Sequence, residues 1–214
     1  MLPKLINPDP GGPPPGLPQD HDVADVLSTL DAEIELNRLL PNLVVSEATA
    51  LLIDGNNWFK VANRLGMRIN YGPLRKILAA RCDLQVATIY VAHDKTRIED
   101  RGFLHSLRQS GYTCKTRRLR KSDVEGKRVV TKTNVDVSLT IGAMLLDPDI
   151  KHVIIGSCDG DFVELVEELH QTRKVSIIGI GGGNDVGMSR SLIKSGDSYY
   201  DLLKMGNGVV VPKR

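Results

Sequence analysis

Two patterns of apolar residues alternate along most of this chain. From Ala48 onward, short apolar runs are followed by longer stretches in which apolar residues recur at helical spacing. The short runs predict strands at residues 50–53, 85–92, 152–155 and 175–179. The longer stretches predict helices at residues 57–65, 71–81, 98–109, 135–146 and 162–170, and shorter elements follow to Leu203.

This alternation predicts an α/β fold. Strands that alternate with helices form a mainly parallel central sheet covered by helices on both faces, which is a three-layer sandwich. Residues 112–118 and 127–131 are predicted to form an extended pair around a polar turn at residues 123–126. In parallel sheets, sites form outside the carboxyl ends of the strands. Candidate chemistry is therefore expected where the apolar runs end.

The first 47 residues follow a different pattern. Residues 1–20 contain seven prolines and three glycines, which predicts an extended, disordered N-terminus. Residues 21–47 predict an amphipathic helix and a linker, and Pro41 ends the helix because the residue before a proline avoids the helical conformation. This helix is expected either to pack on the domain or to mediate a homo-oligomeric contact. The domain is expected to span residues 48–204, followed by a C-terminal tail at 205–214.

Acidic residues stand at the ends of two predicted strands and at the start of one predicted helix. Asp54 ends the first run, in the sequence Leu-Leu-Ile-Asp-Gly-Asn-Asn at residues 51–57. Asp159 and Asp161 follow a later run, in Gly-Ser-Cys-Asp-Gly-Asp-Phe at residues 156–162. Asp136 lies in the first turn of the helix predicted at residues 135–146. In a parallel sheet these carboxylates converge on one edge.

Helix capping is the simplest alternative explanation for each acid. A capping Asp or Asn stabilises a helix by about 1 kcal/mol, and a carboxylate in the first turn is favoured by the helix dipole. Asp161 is well placed to cap the helix that begins near Phe162, but this leaves Asp159 unexplained. Neighbouring carboxylates repel one another unless protons or a cation compensate. Together the acids therefore favour a site for Mg²⁺ or Mn²⁺, which prefer oxygen ligands.

The three acidic motifs, in this order, resemble those of the NYN-domain family of PIN-like nucleases, in its LabA-like branch. The resemblance extends from about Ala48 to Leu203 and implies a PIN-like Rossmannoid sheet and metal-dependent ribonuclease activity. The implied metal ligands are Asp54, Asp136, Asp159 and Asp161, and the implied catalytic set adds Asn57. Cys158 and Gly160 stand where the family usually has glycine and serine.

The chemistry that the resemblance favours is hydrolysis of an RNA phosphodiester bond by a metal-activated water. Asp54 and Asp159 would hold one or two ions, and Asp136 and Asp161 would complete or orient the ligand shell. Asn57 would position water or phosphate. Attack by water would leave a 5′-phosphate and a 3′-hydroxyl. The alternative is a PIN-like module that binds RNA or a protein partner without cleaving.

A basic segment precedes Asp136 and contains only two acids, Asp123 and Glu125. Its basic residues are Lys115, Arg117, Arg118, Arg120, Lys121, Lys127, Arg128 and Lys132. So high a density of positive charge beside an acidic site favours contact with an RNA backbone rather than recognition of bases. The alternative is a solvated edge hairpin, in which lysines discourage strand pairing.

Composition narrows the remaining possibilities. Aromatic residues make up only 4% of the chain, which argues against a module that stacks bases on exposed rings. A net charge of +2 does not by itself imply nucleic acid. The three cysteines include no C-x-x-C pair, and no apolar run approaches membrane-spanning length. A cytoplasmic protein without membrane association is therefore expected.

Two other motifs in the sequence resemble sites of a different kind. Residues 156–160 fit a G-x-C-x-G nucleophile elbow, but the histidine that follows, His170, is predicted to lie on the helix that leaves this turn. Residues 179–184 resemble a dinucleotide-binding loop, but Asn184 replaces its final glycine. A turn near the metal site is the better interpretation, with Asp185 or Ser189 reaching towards it.

Overall fold

The structure is a computed structural model that describes residues 34–44, 46–93, 98–124, 127–131, 135–181, 187–206 and 208–213. For residues 98–99, 120–124 and 127–131 it describes the backbone only. The predicted proline-rich N-terminus and most of the amphipathic helix lie outside these ranges. Residues 34–39 are helical, and the helix ends before Pro41, as predicted. Leu40 and Leu43, just beyond it, are buried.

Among the described residues, six parallel strands form the central sheet, and four further strands lie outside it. In chain order, the strands are β1 (Ala48–Asp54), β2 (Met67–Ile69), β3 (Asp83–His93), β4 (Thr113–Arg118), β5 (Arg120–Val124), β6 (Lys127–Thr131), β7 (His152–Gly156), β8 (Lys174–Gly179), β9 (Ser198–Asp201) and β10 (Val210–Pro212). The order across the sheet is β4-β3-β1-β7-β8-β9. Its central strands β1, β7 and β8 are almost entirely buried, as expected of parallel strands covered on both faces.

Helices flank this sheet. They are α1 (Gly55–Arg64), α2 (Tyr71–Ala79), α3 (Ile98–Gln109), α4 (Asp136–Met144), α5 (Val163–Leu169) and α6 (Arg190–Ser195). Short 3₁₀ turns at Gly160–Phe162 and Leu202–Lys204 follow β7 and β9. The architecture confirms the predicted α/β fold with a mainly parallel central sheet. In the part of the chain that the structure describes, no helix combines the length and apolar character needed to cross a bilayer.

The prediction that residues 112–118 and 127–131 pair with each other was wrong. Residues 113–118 do not pair with 127–131 but add β4 to the edge of the central sheet, parallel to β3. The reason is that β4 follows α3 and completes a β-α-β crossover, which favours parallel pairing. The hairpin forms instead between β5 and β6, where only two residues separate Val124 from Lys127.

A second two-stranded ribbon was not predicted. The segment expected as a C-terminal tail contains β10, which pairs antiparallel with β2, with Val211 opposite Arg68. Asn70 fixes this ribbon, because its side-chain amide donates to the carbonyl of Gly208 at 2.6 Å. Three-residue strands carry too few positions for alternation to be recognised in sequence.

Candidate active site

Asp54 lies at the end of β1, and its carboxylate is buried. Its Oδ1 accepts the backbone N–H of Asn57 at 3.0 Å, so the capping role considered from sequence is real. Burial first, and then the nearby carboxylates of Asp136 and Asp159, raise the pKa of Asp54 to about 6. The hydrogen bonds from the backbone act in the opposite direction without cancelling this effect. Capping therefore accounts for the position of Asp54 but not for the two charges beside it.

The two asparagines that follow connect three neighbouring strands at their carboxyl ends. Asn56 Oδ1 accepts the backbone N–H of Ala92, near the end of β3, at 3.1 Å. Asn57 Oδ1 accepts the backbone N–H of Cys158, just beyond β7, at 3.0 Å. Asn57 is predicted to position water or phosphate, and its oxygen is already engaged with the loop after β7, which we call the acidic loop. Its side-chain NH₂ group is what could serve the predicted role.

The two acids of the loop after β7 differ in their surroundings: Asp159 caps a turn, whereas Asp161 is exposed. Asp159 Oδ1 accepts the backbone N–H of Asp161 at 3.3 Å and caps the 3₁₀ turn, and Ser157 Oγ accepts the N–H of Asp159 at 3.1 Å. The expectation that Asp161 caps the next helix was wrong, because α5 begins after Phe162 without a side-chain cap. The Asp161 side chain is exposed and is not among the charges that raise the pKa of Asp54.

Asp136 completes what we call the acidic cluster, namely Asp54, Asp136 and Asp159. It stands in the first turn of α4 and is half-buried. Asp136 and Asp159 lie close enough to Asp54 for their charges to raise its pKa. Over the described ranges, however, no three acidic, histidine or cysteine side chains are grouped as a ready-made metal cage.

The cysteine-nucleophile alternative does not fit the geometry. Burial is the main reason why the pKa of Cys158 rises to about 12, so its reactive thiolate is disfavoured at neutral pH. The imidazole of His170 lies beside Asp197, with His170 Nε2 and Asp197 Oδ2 3.5 Å apart, rather than beside the thiol.

Asp201, at the end of β9, is a further carboxylate near this loop that the sequence did not identify. Its charge is among those that raise the pKa of the Cys158 thiol.

Ser189 does approach the acidic loop. Its backbone N–H donates to the carbonyl of Cys158 at 3.0 Å, and its Oγ caps α6. A Cβ atom at Gly160 would lie 2.8 Å from this Oγ, which explains why glycine suits a position where the family usually has serine. Asp185, the other residue predicted to reach towards the site, lies outside the described residues.

Three of the predicted RNA-binding residues lie on the exposed edge strand β4. Arg117 Nε donates to Ser138 Oγ at 2.9 Å, which ties this strand to the first turn of α4, where Asp136 stands. Lys115 Nζ lies 5.6 Å from the ring centroid of Tyr90 on β3. Arg118 is exposed at the end of β4. Of the remaining five, Arg120, Lys121, Lys127 and Arg128 are described by their backbone only, and Lys132 lies outside the described residues.

Tyr71 is a further neighbour of the site that sequence analysis missed. Burial first, and then the Asp54 carboxylate, raise the pKa of its phenol. Its ring stacks with Trp58 at a centroid distance of 6.3 Å and meets the edges of Phe103 and Tyr112 at 5.9 and 6.0 Å. No local pattern marks Tyr71 in the sequence, because the fold brings these rings together from separate elements.

The parallel sheet and the acids at its carboxyl edge define a PIN-like α/β domain. The model of the NYN domain family matches residues 48–203, so the chain belongs to this family, whose domains are typically ribonuclease-like. Over 157 residues, 72% of this chain and 82% of the other, it is 26% identical to the "Low amplitude and bright protein LabA" of Synechococcus elongatus. These two findings confirm the resemblance identified from sequence.

A solved structure has the same fold. It is the crystal structure of a protein of unknown function from Vibrio parahaemolyticus, which superposes with a TM-score of 0.64. The match covers 77% of this chain and 96% of the other, at 24% sequence identity. It supports the fold class and carries no functional assignment.

Proposed function

We propose that this protein is a metal-dependent ribonuclease that hydrolyses RNA phosphodiester bonds at the acidic cluster. The observation that carries the proposal is that the Asp54 carboxylate is buried at the end of β1 with the Asp136 and Asp159 carboxylates nearby. A fold gains nothing from the repulsion among these carboxylates unless a cation or proton relieves it. The cluster also lies at the carboxyl edge of the parallel sheet, where sites of this fold class form.

The donor set suits Mg²⁺ or Mn²⁺. Mg²⁺ commonly uses one or two protein carboxylates and completes its shell with waters and substrate phosphates, so a full cage of protein ligands is not required. Asp54 and Asp159 would hold the ion, with Asp136 beside them and the exposed Asp161 orienting ligands at the entrance. When bound, the metal would supply Lewis-acid chemistry, lowering the pKa of the water that attacks phosphorus.

The RNA strand would approach along β4. Its exposed residues Lys115, Arg117 and Arg118 are positive, and the Arg117–Ser138 hydrogen bond fixes the strand beside the helix that carries Asp136. A cationic edge next to an acidic cluster attracts the phosphate backbone and offsets its repulsion from the carboxylates. Asn57 keeps the Asp159 loop in place through the N–H of Cys158.

The test is incubation of the purified protein with mixed RNAs in Mn²⁺, in Mg²⁺ or in EDTA. We expect cleavage only with metal, products with 5′-phosphate and 3′-hydroxyl ends, and loss of activity in Asp159→Asn. Asp149→Asn, an exposed carboxylate before β7, is the matched control and should retain activity. A 2′,3′-cyclic phosphate at the product ends, or full activity in Asp159→Asn, would contradict this mechanism.

The same variants test metal binding without any substrate. Mn²⁺ should raise the melting temperature of the wild type, because a ligand that binds only the folded state stabilises it. Asp159→Asn should lose most of this gain, whereas Asp149→Asn should keep it. An unchanged melting temperature in wild type with Mn²⁺ would remove the metal site from the proposal.

A second candidate is a catalytically silent module that binds RNA or a protein. One observation favours it: among the described residues, no group of three potential ligands is already arranged to hold a metal ion. Asp54 also has a structural role as the cap of α1. RNA binding that is equally tight in EDTA and Mn²⁺, without cleavage in either, would favour this alternative.

A further inference from the structure

A cavity of about 600 Å³ lies between α1, the start of α2, α3 and the residues of β2, with Lys213 at its border. This volume is within the range of about 300–1,000 Å³ that small-ligand pockets occupy. Met67 and Ile69 contribute apolar surface, while Asn63 and Ser106 contribute an amide and a hydroxyl. The cavity is separate from the acidic cluster, and nothing in the proposed hydrolysis uses it.

Two exposed aromatic rings border this cavity. The chain has three phenylalanines, and Phe162 is the one in the core. The other two both line the cavity: Phe59 on α1 is 63% exposed and Phe103 on α3 is 39% exposed. Two of the chain's three phenylalanines are therefore exposed at one place. Exposed aromatic faces on a cavity are the surfaces on which planar ligands stack.

The charges around the cavity have one sign. Arg68 and Lys213 line it, and none of its described lining residues carries a carboxylate. Lys213 Nζ lies 5.9 Å from the centroid of the Phe59 ring, so a cation and an aromatic face are presented together. The ligand that complements this surface has a planar ring, polar edge groups and a negative charge. A nucleotide has all three.

The cavity and the acidic cluster lie along the same helix. Asp54 caps the start of α1, and Phe59 stands in the second turn of this helix, where it lines the cavity. Tyr71 also lines the cavity, and its ring contacts the Phe103 ring at a centroid distance of 5.9 Å. A strand that follows the first turns of α1 would therefore pass both places.

We propose that this cavity binds one nucleotide of an RNA strand, with its base against Phe59 or Phe103 and its phosphate near Lys213 and Arg68. The assignment deepens the proposed function and rests on it, because the same strand would present its scissile phosphate to the acidic cluster. The basic strand β4 contacts backbone only, whereas this cavity contacts a base. Base–aromatic stacking tolerates any base, so the site adds affinity rather than sequence selectivity.

Equilibrium binding tests the assignment in EDTA, where no cleavage is expected. The probes are a ten-nucleotide single-stranded RNA and a ribose-phosphate decamer of the same charge without bases. We expect Phe59→Leu or Phe103→Leu to weaken RNA binding by about five- to 150-fold, the range that one stacked base provides. Neither variant should change binding of the abasic decamer. Phe59→Trp keeps an aromatic face and should bind RNA as tightly as the wild type.

Two further variants sharpen the experiment. Leu145→Ala removes an exposed apolar side chain at the far end of α4 and should leave binding unchanged. Lys213→Ala should reduce the salt dependence, lowering the slope of log K against log[salt] by about 0.7 for one phosphate contact on a single strand. Melting temperatures of the Phe variants should stay near that of the wild type, because both rings are partly solvated.

The outcomes separate this proposal from the nuclease proposal. If the wild type cleaves RNA but Phe59→Leu and Phe103→Leu bind it as tightly as the wild type, the nucleotide site is wrong and the nuclease stands. A cavity that takes an apolar peptide would give this result. If both variants lose affinity for RNA but Mn²⁺ never supports cleavage, the nucleotide site stands and the nuclease is wrong. Equal losses on RNA and on the abasic decamer would overturn stacking.

Discussion

At the scale of single residues, the Asp54 carboxylate is expected to destabilise the metal-free fold while serving as a candidate metal ligand. Burial, with the charges of Asp136 and Asp159, raises its pKa from 3.8 to about 6. Because the pKa in the folded state lies above that in the unfolded state, folding binds the proton more tightly. The stability linked to this proton is complete below about pH 4 and is lost as the pH rises through about 6. At neutral pH the fold therefore carries a destabilising charge at its candidate site.

Replacing this carboxylate by an amide should stabilise the metal-free protein. Asp54→Asn keeps an oxygen that can cap α1, since Asp and Asn are equivalent caps, but removes the charge. A shift of about two pKa units corresponds to about 3 kcal/mol, so in EDTA at pH 7.5 we expect the free energy of unfolding to rise by about 1–3 kcal/mol. The gain at pH 5 should be about half as large. Urea unfolding at both pH values measures it.

The matched control for this prediction is Asp149→Asn, which removes an exposed carboxylate outside the acidic cluster. Exposed charges contribute little, so its free energy of unfolding should change by less than about 0.5 kcal/mol at either pH. A gain for Asp54→Asn that is equal at pH 5 and pH 7.5 would show that its titration is not the cause.

At the scale of elements, the site depends on how closely α1 approaches the end of β7. Gly156 ends β7, and a Cβ atom there would lie 2.8 Å from Cζ2 of the fully buried Trp58 on α1 and 3.0 Å from Cγ1 of Ile53. This close approach allows Asn57, beside Trp58, to accept the N–H of Cys158. The packing of one helix on the sheet thus sets the position of the acidic loop.

Adding a methyl group at this contact should therefore disturb both stability and site. Gly156→Ala is expected to lower the free energy of unfolding by about 1–3 kcal/mol, because the added methyl group would overlap the fully buried Trp58 ring and approach the fully buried Ile53 side chain. It should also weaken the stabilisation by Mn²⁺, because the Asp159 loop would shift. Denaturant unfolding with and without Mn²⁺ measures both effects.

Gly102→Ala is the control for the same chemical change. Gly102 is exposed on α3, and a Cβ atom there meets nothing within 4 Å. Alanine is favoured over glycine inside a helix, so this variant should gain about 0.5–1 kcal/mol and respond to Mn²⁺ like the wild type. If both glycine variants changed stability in the same direction, close packing at Gly156 would not explain the result.

At the scale of the whole molecule, the sequence was most informative where a property is local. The period of apolar residues predicted the parallel sheet, and acids at the ends of strands predicted that Asp54 and Asp159 lie near one another. The sequence was less informative about which strands pair. Residues 113–118 pair with β3 rather than with residues 127–131, and β10 pairs with β2. The cavity was missed because Phe59, Phe103 and Lys213 are far apart in the chain. Side-chain roles such as that of Asn57 depend on partners that only the fold supplies.

The fold places the basic residues of β4 beside the helix that carries Asp136, and charge substitutions can test whether RNA binds there. Lys115, Arg117 and Arg118 are exposed on β4, with Arg117 joined to the helix that begins at Asp136. If RNA lies along this strand, replacing all three by alanine removes up to three phosphate contacts. The slope of log K against log[salt] should then fall in magnitude by about 2, since each contact to a single strand contributes about 0.7.

The control removes the same charge from elsewhere on the surface. Lys76 and Lys194 are exposed near the carboxyl ends of α2 and α6, and Lys151 is exposed immediately before β7. These positions precede the amino ends of parallel strands, whereas the acidic cluster follows their carboxyl ends. Replacing these three by alanine changes the net charge equally, so long-range attraction of RNA is weakened to a similar extent. Direct contacts would be kept, and the salt slope should remain close to that of the wild type. Equal slopes for the two triple variants would mean that RNA senses only net charge, and the binding surface would then have to be sought away from β4.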